Sequence, residues 1–145
     1  MHAKHLLLAL MLFLTAGCAH TAGSLRPAET YPNSYEFFDF AFSWKTTIGP
    51  DGATIDGVAE NRTYYYIRDL ELTATLLDEG GTPIGTGSFL FFPNQLAIGE
   101  RADFSIPVRA ALAAKPKTIR FFYRYYLSEE RMSGISRFHT FYGSP

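Results

Sequence analysis

The sequence is almost without cysteine. Cys18 is the only one, so no disulfide can form within the chain, and a folded part must be held by its apolar core. Histidine is scarce too: of four, only His139 lies beyond residue 20. With no second His or Cys near it, and with carboxylates that lack ligand spacing, no metal site reads from the sequence. An excess of charge of one sign is also missing. Thirteen Lys and Arg stand against fourteen Asp and Glu, for a formal net charge of −1. That balance gives no basic footprint for nucleic acid and no stripe for an anionic headgroup surface. The apolar run from Leu6 to Leu14 is far shorter than the roughly 20 residues of a membrane-spanning helix. The glycines at Gly80, Gly81, Gly85 and Gly87 lack the Lys-Ser/Thr end of a phosphate loop.

What is present is apolar and aromatic. Hydrophobic residues make up 47% and aromatic residues 16% of 145 positions, enough for one domain to bury a core without staples. The first segment, residues 1–17, reads as a secretory signal. His2, Lys4 and His5 form a short basic start, Leu6 to Leu14 has the length of a signal's apolar region, and Thr15, Ala16 and Gly17 are small. An ordinary signal cut near Ala19 or Ala22 is the alternative. The stretch Leu14-Thr15-Ala16-Gly17-Cys18 resembles the lipobox of bacterial lipoprotein signals, with Thr15 where an aliphatic residue is commoner. That resemblance implies cleavage between Gly17 and Cys18, a diacylglyceryl group on the Cys18 sulfur and attachment to a membrane facing the periplasm. Ala19 after the cysteine leans towards the outer membrane. Residues 18–35 carry Gly23, Ser24, Pro27, Pro32, Asn33 and Ser34 with no apolar period, and read as a flexible lipidated tether whose part from His20 to Tyr35 could extend to about 50 Å.

Residues 36–145 read as the folded domain. The organising stretch is Ile67 to Asp78. There Leu70, Leu72, Ala74 and Leu76 alternate with Asp69, Glu71, Thr73 and Thr75, and Gly80-Gly81 follows as a turn. Alternation fits more of these residues than helical spacing does. Phe38, Phe40, Phe42 and Trp44 alternate likewise and predict a strand with an aromatic inner face over Glu36 to Ile48. Further strands are predicted over Ala53 to Glu60, Pro83 to Phe92, Ala102 to Val108, Thr118 to Leu127 and Ile135 to Tyr142. Gly57 predicts a close approach or a bulge, and Gly85 and Gly87 an edge strand or a bulge. A helical turn is predicted over Arg109 to Ala114. Short strands at regular spacing, joined by turns, indicate an all-β, antiparallel β-sandwich of about seven or eight strands.

Part of the domain resembles the FxLYD family of small immunoglobulin-like modules in exported prokaryotic proteins. The resemblance is carried by Ile55, Gly57, Ala59 and Asn61; by Leu70, Leu72, Ala74, Leu76 and Asp78; by Gly81 and Ile84; and by Leu96, Gly99, Glu100 and Phe104. Ala74 and Leu77 stand where the family's name-giving Phe and Tyr would be. It implies an immunoglobulin-like sandwich and no catalytic residues.

Candidates for chemistry are few. His139 reads as a structural residue on an aromatic strand, and Asp51, Asp56 and Asp78 as turn residues rather than a calcium site. Asn61-Arg62-Thr63 matches a glycosylation acceptor by coincidence. Arg120, Phe122, Arg124 and Tyr126 share one face of a strand and form the candidate binding face. Tyr64-Tyr65-Tyr66 has the amphipathic character of interface residues. The expectation is a membrane-anchored, non-catalytic envelope lipoprotein that needs no cofactor and binds an envelope protein. A small-molecule or glycan module is the first alternative, and an enzyme of unfamiliar type the second.

Overall fold

A computed structural model describes residues 31–110, 115–128 and 136–145. Nine strands lie in these segments, and no helix does. They are β1 (Asn33–Glu36), β2 (Phe40–Gly49), β3 (Gly52–Asn61), β4 (Ile67–Leu77), β5 (Pro83–Leu90), β6 (Gln95–Leu96), β7 (Arg101–Arg109), β8 (Thr118–Leu127) and β9 (Arg137–Gly143). One sheet has the order β1-β2-β3-β7. The other has the order β5-β4-β8-β9, with β6 also paired to β4, and every pairing is antiparallel. β3 lies between β2 and β7, and β8 between β4 and β9. In immunoglobulin-type sandwiches strand B lies in the same way between A and E, and F between C and G; β5 takes the C′ place beside C.

The alternation read from the sequence is what the two inner faces bury. Phe40, Phe42 and Trp44 of β2, Leu70, Leu72, Ala74 and Leu76 of β4, and Ile119, Phe121, Tyr123 and Tyr125 of β8 are all buried in one core. Across it, Phe40 meets Tyr123 and Tyr125 edge-on at 5.4 and 5.3 Å, and within the second sheet Phe121 stacks on its β9 partner Phe141 at 4.7 Å. Such pairs add about 0.5–1.5 kcal/mol each beyond the area they bury.

Gly57 serves close approach, and the register through it is unbroken on both sides. A Cβ there would lie 2.3 Å from the Ser43 carbonyl oxygen and 2.4 Å from Cζ of Phe104, so the Phe104 ring occupies the space a side chain would need. β5 is an edge strand, and its register against β4 shifts between Leu76 and Leu77. Gly85 and Gly87 also let it close on β7: a Cβ at Gly87 would stand 2.5 Å from the Pro107 carbonyl oxygen.

Several sequence expectations are corrected. Asn33, Ser34 and Tyr35, assigned to the tether, pair with Trp44, Ser43 and Phe42 as β1. Phe38 is not on an inner face. The chain turns at Phe37, whose N–H donates to the Phe40 carbonyl at 2.9 Å, and β2 begins only at Phe40. β5 stops at Leu90; Phe91 turns into the core and Phe92 out of it. Arg109 closes β7, while most of the expected helical turn, residues 111–114, lies outside the described residues. The strand count exceeds the expected seven or eight because β1 and the two-residue β6 carry no alternation to read.

Candidate binding cleft

One end of the sandwich gathers the β1–β2 connection, the β3–β4 connection and the start of β9. Asn61 fixes it. This side chain is fully buried, and its amide nitrogen donates to the carbonyls of Tyr65, Leu96 and Ala97 at 2.9, 3.3 and 3.0 Å. Its amide oxygen accepts the Thr63 N–H at 2.9 Å, and its backbone carbonyl accepts the Gly99 N–H at 3.0 Å. One residue thus ties the β3–β4 connection to the segment ahead of β7, and its amide has no room for a glycan.

The frame encloses a cleft of about 850 Å³, walled by Phe37, Phe38, Arg62, Tyr64, Tyr65 and Phe138. Phe38 is 75% exposed, Tyr64 87% and Phe138 70%, so three large rings from three segments stand in water at one end of the molecule. Lone apolar residues on a surface are ordinary, but a contiguous set marks a contact site. Arg62 is held by Glu36 at 3.2 Å and Glu60 at 3.3 Å, in exposed pairs that position it more than they stabilise it.

The floor is polar: Asp39, Tyr125, Arg137 and His139 line it. Asp39 is buried and accepts the Tyr123 hydroxyl at 2.6 Å. A buried carboxylate needs such a donor. His139 has the Phe37 ring stacked on it at 4.2 Å, and its Nε2 lies 2.8 Å from the Tyr35 hydroxyl. The imidazole is thereby fixed in the cleft floor.

Burial first, and the Asp39 carboxylate second, push the Tyr123 and Tyr125 phenols well above the ordinary tyrosine range. The unfolded chain ionises these phenols at about pH 10, and the folded chain does not. Their contribution to stability is therefore whole below about pH 10 and is lost as pH rises towards the folded values, by about 1.4 kcal/mol per pH unit for each phenol. Urea unfolding between about pH 9 and pH 11 is expected to show this fall, and Tyr123→Phe to lessen it. An unchanged slope in that variant would contradict the assignment.

The face predicted from sequence adjoins the cleft at Phe138, which lies 6.1 Å from Phe122. Arg120, Phe122, Arg124 and Tyr126 share the outer side of the β5-β4-β8-β9 sheet, as their spacing requires. Two of the four engage neighbours in the sheet: Arg124 donates to Glu71 at 2.7 Å, and the Arg68 guanidinium lies 4.9 Å over the Tyr126 ring. Arg120 stands opposite Thr75 and Tyr142. Gly17 and Cys18 lie outside the described residues. Asp51, Asp56 and Asp78 serve separate local contacts: the Asp51 carbonyl accepts from Ala110, Asp56 from Ser105, and Asp78 from the Thr82 N–H. Among the described residues no three potential metal ligands cluster.

Sequence reasoning found Tyr64 and Tyr65 through their repetition, and missed Phe37, Phe38, Asp39 and Arg137 as a group. The one available signal was Asp39, a carboxylate set inside an aromatic run. No protein-family model matches the chain, and no curated protein matches it in sequence.

Proposed function

We propose that this protein is a lipid-anchored, non-catalytic β-sandwich of the bacterial cell envelope, held at the membrane through Cys18, whose cleft binds an envelope protein. The observation that carries the binding half is the ring of exposed Phe38, Tyr64 and Phe138 beside Arg62 around a concave surface. Tyr and Arg dominate protein hot spots, because rigid rings and a forked guanidinium bury much area at little entropic cost. The position agrees with this reading: in variable domains the B–C and F–G loops at one end of the sandwich do the binding, and Tyr64 and Tyr65 lie in the matching B–C connection.

The test is a photo-cross-linking residue at Phe38 or Tyr64 in cells, with Ile48 at the far end as control. A discrete adduct from both cleft positions and none from Ile48 is the expected result, and Phe37→Ala is expected to weaken the interaction by about 30-fold. Adducts of equal yield at Ile48, or none anywhere, would refute the cleft as the protein-binding site.

The polar floor favours one other reading, a small-molecule or glycan site. A few polar groups beneath aromatic walls, in a cleft of about this volume, is the common make-up of such sites. A thermal-shift series with sugars and peptidoglycan fragments separates the two: a saturable rise in Tm, lost in Tyr64→Ala, would replace the protein reading with this one.

A further inference from the structure

Among the described residues the two sheets have four edges, formed by β1, by β7, by β5 together with the two-residue β6, and by β9. An edge strand offers unpaired N–H and C=O groups to any other strand, and soluble proteins blunt edges with shortness, charge, proline or a bulge. β1 is four residues long. β7 carries Arg101, Asp103, Pro107 and Arg109. β5 opens on Pro83, and its register against β4 shifts. β9 has none of these guards. Its seven residues contain no proline, their register with β8 is unbroken from Arg137 to Gly143, and the single formal charge sits at the first position.

We infer that β9 is the contact of a homodimer, in which two copies of the strand lie antiparallel about a two-fold axis at Thr140. The strand is self-complementary in that register. Phe138 of each copy stands opposite Tyr142 of the other, which makes two aromatic cross-strand pairs on the outer face, where both rings are now exposed. Thr140 faces Thr140, a β-branched pair. On the inner side His139 opposes Phe141. Arg137 falls opposite Gly143, so no like charges meet. Shifting the register by two residues in either direction breaks both Phe–Tyr pairs. The product is one continuous sheet of eight long strands, with its outer face lined by Phe122, Phe138 and the second copy's Tyr142.

One seven-residue strand pair falls short of the roughly 1,000 Å² expected of a stable interface, so the dimer is weak in dilute solution. Confinement to a surface raises the effective concentration and favours it. That last point rests on the anchor proposed above; the strand pairing does not.

The test therefore uses the chain from residue 18 onward with Cys18→Ser, concentrated to the millimolar range and free of membrane, so that a failed anchor cannot mask the result. Opposed residues of an antiparallel pair have Cα atoms about 4.5–5.5 Å apart, within disulfide reach. On mild oxidation Thr140→Cys is expected to link into dimers about tenfold faster than Thr86→Cys on β5. Phe138→Cys and Tyr142→Cys are each expected to stay monomeric alone and to link when mixed. Linking of Thr140→Cys no faster than Thr86→Cys, or of Phe138→Cys with itself as fast as with Tyr142→Cys, would overturn the proposal.

Discussion

Cys18→Ser is expected to abolish incorporation of labelled palmitate in cells, and the purified chain from residue 18 onward is expected to lose its affinity for lipid vesicles. Each acyl methylene contributes about 0.8 kcal/mol, a single chain binds only marginally, and two or three on one residue hold almost permanently. Among the described residues no helix is long and apolar enough to cross a membrane, and a net charge of −1 gives no attraction to anionic lipid. The thermal midpoint of the domain is expected to be unchanged, because its core is built from residues Phe40 to Phe141. Flotation with vesicles and the intact mass of the native protein check this. An unmodified thiol, or a mature chain that starts beyond residue 18, would refute the anchor while leaving the cleft and the strand pairing to their own tests.

Trp44→Ala is expected to produce the largest loss of stability of any single truncation in the core. The indole is the largest fully buried side chain. It meets the Phe121 ring at 4.9 Å in an edge-on contact and the Phe141 ring at 6.0 Å, and its Nε1 donates to the Ser144 carbonyl at 3.0 Å. It also lies over Gly143, where a Cβ would come within 2.2 Å of Cζ2. It therefore binds β2 to the ends of β8 and β9 across the two sheets. Truncating a buried Trp costs about 3–5 kcal/mol, set against a total stability of about 5–15 kcal/mol for a domain. The midpoint of thermal unfolding by circular dichroism is expected to fall by roughly 10–20 °C. A loss below about 1 kcal/mol would mean that the indole does not join the sheets.

Much of the fold was legible because a strand's period is local. Leu70, Leu72, Ala74 and Leu76 declare an inner face by their spacing alone, and so do Ile119, Phe121, Tyr123 and Tyr125. Period does not state where pairing begins. Phe38 is in phase with Phe40, yet it lies in a turn, because the hydrogen bond from Phe37 to Phe40 closes the chain before β2 starts. Nor does it reveal β1, whose pairing with Trp44, Ser43 and Phe42 is not marked by any alternation of its own. The candidate site was less legible still. Asp39 and Tyr123 are 84 positions apart in the chain, and Tyr35 and His139 are 104 apart.

The sequence by itself determined that this chain would bury alternating faces of short strands in a sandwich without disulfides, because burial of every second side chain follows from the geometry of one strand. Only the tertiary structure decided which strands became edges, which rings stayed in water, and which polar groups met beneath them. Those outcomes depend on hydrogen-bond partners drawn from distant parts of the chain, and no local pattern encodes the choice of partner.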